Sequence, residues 1–127
     1  MTETTTEPAT VGERMTRTFL EVAPEDTIGE VAERLQAADA GSALVVAYGR
    51  LVGILTSRDL VRCIASRSHP SDARVREWMT ESPQVVHEDT PVAAAARLMA
   101  DGGFHHLPVV EEAHPVGVVG LRALVRP

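Results

Sequence analysis

The chain is short of aromatics, cysteine, positive charge and long apolar runs. Aromatic residues make up 3% of its 127 residues, and Cys63 is the single cysteine. Lys and Arg number 12 against 18 Asp and Glu, a net charge of −6. One cysteine excludes an intramolecular disulfide and a multi-thiolate metal site. Cys63 lies among Leu60, Val61 and Ile64 and reads as a small buried hydrophobe rather than a reactive thiol. The acidic balance argues against binding a nucleic-acid backbone, which needs a basic face. A few arginines converging on one spot would still suit a small phosphorylated ligand. No apolar run approaches the roughly 18 residues of a membrane span. No basic-then-apolar signal opens the chain. No membrane association and a cytoplasmic location are the default expectations. With so few rings, the core has to be built from Val, Leu, Ala and Ile.

What is present suits a globular protein: 44% of the residues are hydrophobic. The length allows one domain, or two small repeats sharing a core. Residues 1–10 are polar and Thr-rich, have nothing to bury, and read as a disordered tail. Val11 to Thr16 suggests a short helical lead-in, and Phe19 to Val22 a short strand. Thr27 followed by Glu30 forms a capping box. Ile28, Val31, Ala32, Leu35 and Ala38 then fall on one helical face, and Gly41 closes the helix. Ala43 to Ala47 and Leu51 to Leu55 read as strands joined at Tyr48-Gly49-Arg50. A helix follows from Thr56 to about Ala65. Residues 66–74 read as a linker.

After the linker the pattern starts again. Met79-Thr80 lies 64 positions after Met15-Thr16, and Glu25-Asp26-Thr27 recurs as Glu88-Asp89-Thr90. Gln84 to His87 repeats the short strand. Thr90 is expected to cap a helix with Pro91 in its first turn. Ala94, Ala95, Leu98 and Met99 carry the apolar face of that helix, and Gly102-Gly103 ends it. Leu107 to Val110 and Val116 to Val119 read as strands around a turn at Glu111 to Pro115. A last helix runs from Gly120 to Arg126. The expected fold is mixed α/β (α+β): two pseudo-symmetric β-α-β-β-α repeats, over 11–65 and 75–127, packed together because neither has sheet enough to stand alone.

In this ordered double occurrence the chain resembles a tandem pair of CBS domains, a Bateman module. The carrying residues in the first repeat are Met15-Thr16, Glu25-Asp26-Thr27 and the run from Leu51 to Leu60, which ends Thr56-Ser57-Arg58-Asp59-Leu60. In the second they are Met79-Thr80, Glu88-Asp89-Thr90, His106 to Val110 and Val116 to Val119. The resemblance implies a ligand-sensing module rather than a catalyst. The implied ligands contain adenosine: AMP, ADP, ATP, S-adenosylmethionine or NAD-like compounds. It implies no required cofactor, only a bound adenine nucleotide, together with pairing into a homodimer and a separate, unknown effector protein. A ligand-free dimerisation or protein-interaction module is the alternative.

By spacing alone, Thr56-x-x-Asp59 is a plain capping box that needs no ligand. The resemblance makes it a ribose and phosphate position. A helix N-terminus suits a phosphate, Thr56 and Ser57 add hydroxyl donors, Arg58 adds a charged fork, and Asp59 would accept from both ribose hydroxyls. The second copy keeps the frame and loses the chemistry: Gly120, Leu121, Arg122 and Ala123 stand where Thr56, Ser57, Arg58 and Asp59 stand in the first. One competent site is therefore expected. The resemblance puts Phe104, His105, His106, Leu107 and Pro108 on its far wall with Val85 nearby, and Arg122 within reach of the phosphates. His105 and His106, with His87 and His114, invite a metal reading. Neighbours on a strand point to opposite faces, and no Asp, Glu or Cys spacing completes a site. A metal- or redox-linked protein built on the histidines and Cys63 is thus the weakest alternative. No nucleophile–base pair has motif support.

Overall fold

The computed structural model describes residues 9–125. In the first repeat β1 (Leu20–Val22) leads to α1 (Ile28–Ala38), then β2 (Ser42–Ala47), β3 (Arg50–Thr56) and α2 (Ser57–Ala65). The Thr27 cap forms as expected. The Glu30 amide donates to Thr27 Oγ1 at 3.1 Å, and the Thr27 amide donates to Glu30 Oε1 at 3.1 Å. Those bonds to Thr27 hold the Glu30 carboxyl below its ordinary pKa. The end of α1 differs from expectation. Asp39 takes the left-handed conformation at φ 52 and closes the helix, with Ala40 N–H bonded to Leu35 O at 3.0 Å. A short polar side chain tolerates that conformation, so Gly41 is not needed as the stop. β2 and β3 form an antiparallel hairpin. Its two turn residues, Tyr48 and Gly49, both have positive φ, 54 and 77, as a two-residue turn matching the strand twist requires.

The second repeat begins with the short helix α3 (Val75–Trp78) and the two-residue strand β4 (Thr80–Glu81). It continues with α4 (Val92–Gly102), β5 (His106–Glu111), β6 (His114–Gly120) and α5 (Leu121–Leu124). The strand expected at Gln84 to His87 is reduced to one parallel rung, Val86 opposite Val109. Val86 N–H donates to Pro108 O, and Val110 N–H donates to Val86 O, both at 3.0 Å. The next rung would take its donor from residue 108, and proline has none. Thr90 does not cap α4. Its hydroxyl accepts from the His87 amide at 2.9 Å, and Pro91 occupies the cap position. The second hairpin turns at Glu112 and Ala113 alone, with φ 50 and 72, so β6 starts two residues before Val116. Of the tail assigned to residues 1–10, only Ala9 and Thr10 are described. Both are tied down: Val92 N–H donates to Ala9 O, and Thr10 bridges Pro91. The expected Gly120–Arg126 helix ends at Leu124, with Val125 as its cap, and Arg126 lies outside the described residues.

The lead-in segments are exchanged, which sequence similarity between the repeats does not reveal. The main sheet runs β1-β2-β3-β4, so Thr80 and Glu81 of the second repeat pair with Ile54 and Gly53 of the first. Conversely, Thr16 pairs with Val118 beside the β5-β6 hairpin. The cores follow. Val75, Trp78 and Met79 pack with Val22, Ile28, Val31 and Leu55, whereas Val11 and Met15 pack with Val86, Met99, Leu107 and Val119. Two equivalent glycines admit these crossings. A Cβ on Gly53 would stand 2.6 Å from Met79 Sδ and 3.0 Å from Thr80 O. One on Gly117 would overlap Met15 Cε and the Thr16 carbonyl.

Candidate functional site

The strand β3 ends at Thr56, whose backbone is still extended, and α2 begins at Ser57. This strand-to-helix corner buries Asp59 to 5% exposure. Its Oδ2 accepts from the Thr56 amide at 2.9 Å and from the Thr56 hydroxyl at 3.2 Å. Its Oδ1 accepts from Arg62 Nη1 at 3.0 Å. Arg62, one turn along α2, also lies over the Trp78 ring, 5.7 Å from the centroid. The Asp59 half of the capping box therefore forms, the Thr56 hydroxyl donates to Asp59 instead of accepting from α2, and a buried carboxylate is left at the edge of a cavity.

That cavity has a volume of about 550 Å³. One wall is Thr56, Ser57, Arg58, Asp59 and Arg62; the facing wall is Gly102 to Leu107. Gly41, Ile54, Thr80, Pro83 and Gln84 complete it. Eight residues singled out from the sequence thus come together: Thr56, Ser57, Arg58, Asp59, Phe104, His105, His106 and Leu107. Three do not line it. Pro108 is buried on the other side of the pleat from Leu107. Val85 is half-buried, and its neighbour Gln84 takes the lining position. Arg122 is exposed on α5 and borders neither large cavity. The arginines at the site are Arg58 and Arg62, both on α2. Arg62 was missed, although its spacing of three from Asp59 is the ordinary signal for contact along a helix. The sequence marks Gly102 only as a helix stop. A Cβ there would overlap the Phe104 ring, so its bareness lets that ring lie against the end of α4.

A second cavity, about 460 Å³, occupies the equivalent place on the other side. Gly120 and Ala123 line it where Thr56 and Asp59 line the first, and Arg14, Thr16 and Thr18 reach it from the exchanged lead-in. Arg14 Nη1 donates to the Ala123 carbonyl at 3.1 Å. The ribose-binding carboxylate expected of the family has no counterpart there; Asp39 stands at a different point of the wall. His106 lines both cavities. Its ring passes Gly41, where an added Cβ would stand 3.2 Å from Nε2. Burial, and secondarily His105, lowers the His106 pKa from its ordinary value. His105 precedes β5 and is exposed, yet it borders the same cavity. Among the described residues, no three His, Cys, Asp or Glu side chains gather around a point that could hold an ion. Cys63 is fully buried in the first core, and burial raises its thiol pKa.

Comparison with known proteins agrees with this architecture. Residues 11–66 and 75–126 each match the CBS domain. The chain belongs to the CBS domain family and is a tandem CBS module. A 17.7 kDa protein of Acidianus ambivalens is 36% identical over 83% of this chain. The chain spans 64% of that relative's length, and 17% and 16% of two Arabidopsis thaliana CBS domain-containing proteins it also matches. Among solved structures, the CBS domain pair of protein MJ0100, in complex with 5′-methylthioadenosine and S-adenosyl-L-methionine, superposes with a TM-score of 0.85. It is 26% identical, over 91% of this chain and 96% of that one. A CBS domain protein of Pyrobaculum aerophilum complexed with AMP gives a TM-score of 0.86 at 27% identity, covering 93% and 92%. No helix among the described residues is long and apolar enough to cross a membrane.

Proposed function

We propose that this protein is a regulatory sensor that reversibly binds one adenosine-containing ligand, AMP, ADP, ATP or S-adenosylmethionine, in the Asp59 cavity, without catalysis. One observation carries the reading: a buried carboxylate at a helix N-terminus faces an apolar and histidine-bearing wall from the other repeat, across a cavity of about 550 Å³. That size suits a nucleotide-sized ligand. The adenosine ligands held by the MJ0100 pair and by the Pyrobaculum protein support the same chemistry here. Asp59 would accept from the ribose hydroxyls. The first turn of α2, with Arg58, would face phosphate or another charged group. The ring of Phe104 and the side chain of Leu107 would contact the base.

The output would pass to a separate effector through a homodimer. Val61 and Ile64 on α2 are 65% and 63% exposed, and Val125, the equivalent of Val61, is 67% exposed. These apolar side chains on equivalent parts of the two repeats favour self-association. They also carry the second reading, a dimerisation module without a small ligand. A thermal-shift panel of AMP, ADP, ATP, S-adenosylmethionine and NADH separates the two, because a ligand that binds only the folded state must raise Tm. A rise with at least one adenosine ligand is the expected result. No rise with any of them, at millimolar concentration, leaves the dimerisation reading.

A further inference from the structure

The Asp59 carboxylate is almost saturated before any ligand arrives. A carboxylate offers about four lone-pair positions. Thr56 occupies two of them at Oδ2, and Arg62 occupies one at Oδ1. A vicinal diol that donates both hydroxyls needs two positions, so one resident donor has to leave.

The three donors differ in how readily they can go. The Thr56 amide belongs to the backbone at the start of α2 and is fixed by the fold. The Thr56 hydroxyl oxygen stays 3.2 Å from Oδ2 however its hydrogen rotates, so it blocks that position. Arg62 has a side chain 59% exposed on a long flexible stem. Its guanidinium also lies over the face of Trp78, and an ion pair whose cationic partner is this exposed is screened by water.

We propose that Arg62 is a displaceable counter-ion of Asp59: a ribose diol takes over its place on the carboxylate, and the guanidinium shifts relative to Trp78. This rests on the adenosine-ligand reading above. Arg62 is then a specificity-determining residue. In the wild type, the second ribose hydroxyl gains a bond to Asp59 while Arg62 loses one, so discrimination between ribose and 2′-deoxyribose is reduced by the worth of that ion pair. Without Arg62, the second hydroxyl counts in full. Trp78 is the sole tryptophan of the chain, so its fluorescence reports the movement without a label. The second cavity lacks the device, since Ala123 offers no carboxylate.

The test titrates AMP and 2′-deoxy-AMP into the full-length wild type, Arg62→Ala and Arg62→Lys, by calorimetry and by Trp78 emission. The expected ratio of Kd for 2′-deoxy-AMP to Kd for AMP rises roughly two- to fivefold in Arg62→Ala, the worth of the ion pair that the second hydroxyl no longer has to displace. Arg62→Lys falls between. In the wild type, AMP alters Trp78 emission more than 2′-deoxy-AMP does at equal saturation. The ratio is internal to each variant and so cancels any general loss of affinity or stability. An unchanged ratio with AMP still bound, or equal emission changes for the two nucleotides, overturns the displacement and leaves the functional reading intact. No AMP binding to the wild type also overturns it. If every other adenosine ligand fails as well, the functional reading falls with it.

Discussion

Replacing Asp59 by Ala separates a helix cap from a ligand site, because the two roles predict different losses. On the stability side, α2 loses the acceptor for the Thr56 amide and hydroxyl. Loss of such a cap costs about 1 kcal/mol. The ion pair adds well under 1 kcal/mol, since the Arg62 partner is 59% exposed and screened by water. A loss of about 1 kcal/mol lowers Tm by roughly 3–5 °C in a chain of this size, so the variant stays folded. On the binding side, two hydrogen bonds to a charged acceptor vanish, at roughly 1.5–3 kcal/mol each. One of them was already offset in part by the release of Arg62. The net loss is more than one bond, at least about 10-fold in affinity. Thr27→Ala is the matched control. It removes the cap of α1, whose bonds are at 3.1 Å, from a position that lines neither cavity. It is expected to lower Tm by a similar amount with affinity unchanged. Calorimetric titration with AMP, run beside a thermal melt on each variant, reads both quantities. A folded Asp59→Ala protein that binds within about threefold of the wild type would refute the assignment and leave Asp59 as a cap alone.

Three further outcomes follow from the packing and electrostatics. Gly53→Ala sets a methyl 2.6 Å from Met79 Sδ, so urea unfolding should show a loss of about 1–3 kcal/mol, part of which Met79→Ala recovers in the double variant. His106 has a folded-state pKa below the ordinary 6.5. The unfolded chain therefore binds the proton first as pH falls, and stability declines from about pH 6.5 downward; stability against pH for His106→Gln should be flatter in that window, and an equal slope would contradict the burial argument. The Cys63 thiol is fully buried with its pKa raised, so a thiol reagent should react with the native protein only at the rate of its opening, and at full speed in denaturant.

Much of the fold is legible in the residues because local signals and the repeat agree. The Thr27–Glu30 box, the paired hairpins and the Thr56–Asp59 corner each carry a sequence pattern with one physical solution. The facing wall at Phe104 to Leu107 follows from family resemblance, not from spacing. What stayed hidden depends on pairs of residues far apart in the chain. The similarity of Met15-Thr16 to Met79-Thr80 marks the two lead-ins as equivalent but does not say which sheet each joins. That choice is bound up with the missing side chains of Gly53 and Gly117. The loss of the Gln84–His87 strand depends on Pro108, which sits in a different strand and withholds the one amide the ladder needs. The resemblance put Arg122 within reach of the phosphates from the opposite helix, whereas it borders neither cavity and the arginine that meets Asp59 is its helical neighbour Arg62.

The central claim is one asymmetric adenosine site per chain, and binding stoichiometry addresses it most directly. Equilibrium dialysis of radiolabelled AMP against a known protein concentration, carried to saturation, should give one AMP per chain, and Asp59→Ala should release it. Two equivalents per chain would show that the Gly120–Ala123 cavity binds without a carboxylate, and none, with AMP or with ADP, ATP or S-adenosylmethionine in its place, would remove the nucleotide site altogether; either result contradicts the account.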